Sequence, residues 1–449
     1  MPIVILPSSL LQRTGGLRRI EVAGDTAGEI LKSLEAAQPG LRGWVLDEQG
    51  QLRQHVNVFL DDRRVRLDQP IRDAQELFVI QAITGGSDDD AEILVGTKKG
   101  LFVLRGPRSG PMRVLTRQFA GQVVEYAMRD PRTGSYIASA THGQFGPHLH
   151  ISEDPAGEWR QAEGPEFPPG DDASVERIWV VETGAEEGAL WAGVAPAALF
   201  RSEDGGATWQ LNQPLWNDPS RSHWEGGLGG LTLHSICQWP GEPERLTVAM
   251  SAVGVWQTLD GGASWSRYCA GLVPRYLPPE AHADTLMHCV HKLEQSPIEP
   301  ATFYLQFHGG VYRSDDAGHS WTDISGVGSE PGLPADFGFP IVVDPRDPDR
   351  AFVIPLVADV DRVTPEGKVR VYETRDRGSS WQPQTSGLPQ QDAYLTVLRQ
   401  GFCHDGRDPL GLYFGTESGA VFGSADGGAT WSVIAENLPP ITSVRSGGP

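Results

Sequence analysis

The stretch Ser202-Glu203-Asp204-Gly205-Gly206-Ala207-Thr208-Trp209 decides the fold, because it returns with small changes along the chain. The copies are Thr258–Trp265 (TLDGGASW), Ser314–Trp321 (SDDAGHSW), Thr374–Trp381 (TRDRGSSW) and Ser424–Trp431 (SADGGATW), with a degenerate one at Ser152–Trp159 (SEDPAGEW). Counted by the aspartates Asp154, Asp204, Asp260, Asp316, Asp376 and Asp426, the steps are 50, 56, 56, 60 and 50 residues. A Ser or Thr and an Asp two residues on can turn their oxygens onto nearby backbone N–H groups. Gly supplies the positive φ of a tight turn, and Trp covers the neighbouring sheet. The unit is therefore a turn between two strands, and a repeat of this period built from short strands implies propeller blades.

Each copy follows an apolar run, a small-residue break and a second apolar run, as in Leu190–Ser202, Leu246–Thr258, Phe303–Ser314 and Leu412–Ser424. Tyr136 and Phe352 open two more such hairpins, and Ile93–Arg105 has the pattern without the turn motif. Seven units result. The expected fold is mainly β, a seven-bladed β-propeller over residues 92–449 whose first blade lacks the motif. The motif resembles the Asp-box (BNR) repeat, S/T-x-D-x-G-x-x-W, which five of the six copies fit. At Ser152 the glycine comes one place late, so a distorted turn is expected there.

Composition agrees. The 449 residues carry 54 Gly and 35 Pro, suited to many turns, and 13 Trp against 5 Met, suited to aromatic packing between sheets. No apolar run approaches the ~20 residues that span a bilayer, and the start lacks a signal-peptide pattern, so the expected compartment is the cytoplasm. Cys237, Cys269, Cys289 and Cys403 are widely spaced with no CxxC pair, which signals neither a disulfide framework nor a zinc site. No cofactor or metal is expected. The net charge of −21 argues against nucleic acid and anionic membrane as partners.

Residues 1–86 stand outside the repeat, and 87–91 (SDDDA) read as a linker. Ile3–Leu6 and Arg18–Val22 read as strands. Asp25–Glu29 opens a helix with Ile30, Leu31 and Leu34 on one face, which Gly40 ends, and His55–Leu60, Arg64–Leu67 and Leu77–Ile80 are further strands. This order makes a ubiquitin-like α+β (β-grasp) domain. The stretches LRGWVLDEQGQLRQHVNVFLDDRRV and QELFVIQAITGG, closing on Gly85-Gly86, resemble the MoaD/ThiS sulfur-carrier family. The resemblance implies a last glycine that is adenylated and then converted to a thiocarboxylate, and an adenylating enzyme as partner. Here Gly86 is followed by Ser87, so its carboxyl is held in a peptide bond, and such chemistry requires a protease that cuts after Gly86. The alternative is a retired carrier whose Gly-Gly serves as a hinge.

In a propeller the innermost strands face a central channel, and loops at one mouth form the site. Aligned on the turn prolines Pro131, Pro240, Pro297 and Pro345, the positions six residues back are Glu125, His234, His291 and Phe339, with Glu176-Arg177 at the corresponding place in the third unit. Glu125, Arg177, His234 and His291, joined by His308, are the candidate channel-mouth site. The insertions Trp216–Gly230, Leu272–His288 and Gly328–Gly338 enter the same face. Asp-box propellers bring sialidases to mind, but no FRIP or YRIP string occurs; the nearest segment is ERIWV from Glu176. Two functions follow. One is a carrier-related domain joined to a propeller that binds an unknown protein or small ligand. The other is an uncharacterised hydrolase or lyase at the channel mouth. The first is favoured, because the carrier domain is written in the residues and the catalytic set is inferred from alignment.

Overall fold

The computed structural model describes residues 2–6, 10, 13–47, 50–52, 56–60, 63–72, 76–81, 90–171, 173–282 and 285–448. Gly85-Gly86 and the linker residues 87–89 lie outside the described residues. The chain divides into two compact units, Met1–Gly86 and Ser87–Pro449.

The first unit has β1 (Ile3–Ile5), β2 (Arg19–Glu21), α1 (Ala27–Ala37), β3 (Val56–Leu60), β4 (Arg63–Arg64) and β5 (Glu76–Gln81) in the sheet order β2-β1-β5-β3-β4. β1 and β5 run parallel and the other pairs antiparallel, giving the mixed sheet of a ubiquitin-like fold. α1 starts where Thr26 accepts a hydrogen bond from Glu29 N–H at 3.3 Å, while the Glu29 carboxylate accepts from Asp25 N–H at 3.0 Å. Thr26 thereby satisfies one free donor of the first turn, and the Ala27 and Gly28 N–H groups donate to Gln69 O and Leu67 O at 3.0 and 2.8 Å. Its apolar stripe, Ala27, Ile30, Leu31 and Leu34, is buried against Val4, Ile20, Val58 and Leu77. The helix ends at Ala37, three residues before Gly40. Gly40 has a different role: a Cβ there would lie 2.3 Å from the Arg13 carbonyl oxygen.

The second unit contains, among the described residues, seven four-stranded antiparallel sheets that resemble propeller blades. In six of them the chain runs outward from the first strand. The seventh joins Asp90–Thr97, Gly100–Pro107 and Arg113–Gln118 to the C-terminal strand Ile441–Ser446, which takes the innermost place. The first strands touch one another in sequence. Val123–Arg129 lies against Arg177–Thr183, then follow Thr232–Gln238, Val290–Gln295, Gly338–Asp344 and Phe402–His404, and Ile441–Ser446 returns to Val123–Arg129. Sequence periodicity identified the hairpin at Ile93 but not that its innermost partner comes from the other end of the unit. Among the described residues no helix is long and apolar enough to cross a membrane.

The repeated turn has one hydrogen-bond pattern in five copies. In the last, Ser424 Oγ donates to Asp426 Oδ1 at 2.7 Å and accepts from Gly428 N–H at 2.9 Å, while Thr430 donates through N–H and Oγ1 to the Asp426 carboxylate at 2.9 and 2.5 Å. Three tryptophans reach into the segment of the preceding sheet, Trp265 to Asn212 Oδ1, Trp321 to Tyr268 O and Trp381 to Ile324 O. At the degenerate copy Ser152 Oγ donates instead to the backbone carbonyls of Asp154 and Glu158, and the Asp154 carboxylate accepts from Ala156 N–H at 2.9 Å. Asp426→Ala therefore breaks three hydrogen bonds and should cost about 1 kcal/mol, as loss of a capping aspartate does. Asp154→Ala should cost only a few tenths, ~0.3 kcal/mol. Urea midpoints of the two variants check the difference, and equal losses would contradict it.

Candidate functional site

The sequence candidates fall into two groups. Glu125 and Arg177, on the strands Val123–Arg129 and Arg177–Thr183, approach to 3.8 Å. Burial pushes the Glu125 carboxyl up, against the charges of Arg177 and Lys98. His234 and His291 lie on the adjacent strands Thr232–Gln238 and Val290–Gln295, both buried. Burial, with Arg399 next in importance, keeps both imidazoles well below their ordinary pKa and hence neutral. His234 is held by the fold itself: Nε2 donates to Val290 O at 2.9 Å, which leaves Nδ1 to accept from Ser235 Oγ at 3.1 Å. His291 differs. Its Nδ1 donates to Gly338 O at 2.6 Å, so Nε2 carries a lone pair.

His291 and His308 line a cavity of about 230 Å³, together with Cys289, Phe337, Phe339, Asp359, Arg362 and Arg399. Glu125, Arg177 and His234 are not among its lining residues. Each of the three insertions contributes: Gly227–Gly229 from the first, Tyr276 and Met287 from the second, Phe337 from the third. Phe337 and Phe339 pack on the His291 ring with centroids 5.2 and 4.8 Å away, which fixes its plane. His308 stands 5.4 Å from His291 ring to ring, and its Nε2 lies 3.8 Å from Asp359 Oδ2. Burial lowers the His308 pKa, with Asp359 opposing.

Arg399 and Arg362 dominate the electrostatics of this cavity. Arg399 is 9% exposed, and burial pushes its guanidinium down to about 10. Its charge is favoured by Cys289 and opposed by Arg362, and among the described residues no carboxylate pairs with it. The guanidinium stacks 5.0 Å from the Trp179 ring, whose buried Nε1 has no hydrogen-bond partner. Arg362 lies 5.3 Å over Phe339 and donates to a carbonyl, Asp359 O, at 2.9 Å. Buried charges are normally paired. Among the described residues neither arginine of this cavity has an ion pair within 4 Å, although Asp359 lines the same cavity beside His308.

Deeper in the ring the inner strands are cross-linked by side chains. Lys292 Nζ donates to Gln400 Oε1 at 3.0 Å, Arg445 also donates to Gln400, Arg445 Nε donates to Tyr126 OH at 3.1 Å, and Tyr126 OH donates to Glu182 at 2.9 Å. Gln400 Nε2 in turn donates to His234 O at 2.9 Å. His234 thus belongs to this network more than to the cavity.

Sequence reasoning missed Arg399, Arg362 and Cys289. The alignment rested on turn prolines, and the unit containing Arg399 has Gly406 where four of the others carry proline. Cys289 sits two residues before His291, a spacing that puts both on one face of an extended chain and was readable.

Comparisons with known proteins separate the two units. The ThiS family matches residues 4–86. The sulfur carrier protein CysO of Mycobacterium tuberculosis is 32% identical over 89 residues, which are 18% of this chain and 96% of that protein. The second unit is similar in fold to the GH74 enzyme of Niastella koreensis, at 15% identity and TM-score 0.52, covering 77% of this chain and 55% of that one. It is similar also to the GH74 xyloglucanase of Xanthomonas campestris, at 15% identity and TM-score 0.51, covering 77% and 54%. The chain thus spans about half the length of those enzymes, and at this identity the likeness concerns the propeller-type fold alone. The Gly-Gly that ends the match, the mixed sheet on one capped helix, and a relative covered almost end to end agree: through its first 86 residues the chain belongs to the ThiS family, as a ubiquitin-like domain of the sulfur-carrier type.

Proposed function

We propose that the chain is a sulfur-carrier-type domain delivered as a fusion to a seven-bladed propeller, and that the propeller binds an anionic ligand or an acidic group of a partner in the Arg399 cavity. The observation that carries the first half is the reach of the family match, which ends at Gly86 and takes in 96% of a carrier that occurs by itself. A whole carrier with its Gly-Gly end is present, and the second unit begins immediately after it. Hydrolysis of the Gly86–Ser87 peptide bond frees the carboxylate, which an adenylating enzyme of the kind that serves this family then activates. Glycine suits that position because a tail without side chains enters a narrow enzyme channel.

The seven sheets, the cyclic contact of their inner strands and the closing C-terminal strand support the blade count. The repeated Ser/Thr-Asp turns support the Asp-box reading. A glycosidase reading is weaker. Such enzymes need two carboxyl groups flanking one bond, and among the described residues Asp359 is the one carboxylate that lines the cavity.

Intact mass of the protein taken from its own host tests the carrier half. The expected result is a fragment ending at Gly86 that a carrier-activating enzyme adenylates, with Gly86→Ala abolishing adenylation. A chain that stays full-length, with a Gly86 variant indistinguishable from the wild type, would make the first unit a docking module and end the precursor reading.

A further inference from the structure

Cys289 and His291 are two residues apart where the chain enters the strand Val290–Gln295, and the next strand, Phe303–Phe307, brings His308 back beside them. His308 N–H donates to Cys289 O at 3.0 Å, which fixes the pairing. One donor atom from each of Cys289, His291 and His308 lies within 4.8 Å of the other two. All three line the same cavity. One sulfur and two imidazole nitrogens form a donor set suited to zinc and its neighbours rather than to calcium or magnesium, which take oxygen.

The surroundings add what a ligand set requires. The hydrogen bond from His291 Nδ1 to Gly338 O fixes the tautomer and aims Nε2 away from the backbone, as the outer-shell partners of metal-bound histidines do. The side chain of His308 is 24% exposed with Asp359 beside it, so it has room to turn. We propose that Cys289, His291 and His308 bind a divalent ion of the zinc class, with the fourth coordination position open to the cavity. Bonds of ~2.0–2.3 Å in tetrahedral geometry place donors roughly 3.3–3.8 Å apart, so binding draws these three together by about 1 Å. The ion takes a thiolate from Cys289, whose charge faces Arg399. An oxyanion in the fourth position would then meet the ion on one side and the two arginines on the other. The site goes beyond the carrier reading and does not depend on processing at Gly86.

The test uses the untagged, uncleaved full-length chain, stripped with a chelator and titrated with Zn²⁺ against a competing indicator, and with Co²⁺ as a spectroscopic probe. One ion per chain is expected, and the cobalt form should show a thiolate-to-cobalt charge-transfer band in the near ultraviolet. Cys289→Ser should remove that band although three other cysteines remain. His308→Gln, at a half-buried position that tolerates the change, should weaken zinc binding by at least about 100-fold, beyond the roughly 10–100-fold of an outer-shell loss. Absence of the charge-transfer band in the wild type, or zinc affinity unchanged in both variants, would overturn the proposal and leave the three side chains as packing around Phe337 and Phe339. Neither outcome touches the mass measurement on which the carrier reading rests.

Discussion

A chain that stops at Pro440 is expected to lose the cooperative unfolding transition of its second unit. The missing strand, Ile441–Ser446, is the innermost of its sheet and pairs from Ile441 opposite Thr97 to Ser446 opposite Ile93. Ile441 and Val444 are 1% and 0% exposed and pack among Ile93, Val95, Val421 and Ile434. Each aliphatic side chain of that kind contributes about 1.5–3 kcal/mol. The strand Asp90–Thr97 would be left with an unpaired edge, and Arg445 would leave the network through Gln400 and Tyr126. Together these losses are comparable with the whole marginal stability of a domain, about 5–15 kcal/mol. Calorimetry should show the main transition broadened or absent, with association visible by size-exclusion chromatography. A truncated chain whose transition overlays that of the intact protein would refute closure of the ring by this strand.

Arg399→Met should raise the stability of the ligand-free chain while removing its response to anions. A guanidinium held at about 10 against an ordinary 12.5 opposes folding at neutral pH by something on the order of 3 kcal/mol. Methionine keeps most of the buried stem and its contact with Trp179 and Phe339 without the charge. The sign follows from proton binding: the folded chain holds this proton less tightly than the unfolded one, so the penalty is complete below about 10 and shrinks as the pH rises toward 12.5. Inorganic phosphate serves as the probe. It should raise the wild-type unfolding temperature in proportion to the logarithm of its concentration and leave the variant unmoved. A destabilised variant would mean that the fold itself compensates Arg399, and the anion-site reading would fall.

The propeller-type fold was legible because its repeat is local. The Ser/Thr, Asp and Gly of Ser-x-Asp-x-Gly-x-x-Trp close their hydrogen bonds within the motif, so neighbours in sequence specify the turn wherever it occurs, and Gly157 coming late at Ser152 marked the one copy whose bonds differ. The ubiquitin-like unit was legible for a similar reason, since Thr26 and Glu29 write the helix start and the Gly-Gly marks the domain end. What the sequence concealed is long-range. Pairing of Ile441–Ser446 with Asp90–Thr97 spans nearly the whole unit and leaves no local mark. His234 and His291 share a repeat position, yet one is tied to Val290 O and the other faces the cavity, a difference set by loops from other sheets. Arg399 escaped because its burial without an acidic partner among the described residues is a property of three-dimensional surroundings.

Ring closure by the C-terminal strand bears on how a fused carrier could be released. Among the described residues the first of the second unit to enter a ladder is Asp90, paired with Pro107, and the latch lies at the far end of the chain, at Ile441–Ser446. A cut after Gly86 therefore removes no strand from the ring and leaves no sheet short. Scission and unfolding would be topologically uncoupled: every strand pair of the seven sheets among the described residues joins residues that lie on the same side of Gly86. Had the latch strand stood upstream of Gly86, each release would have opened the ring.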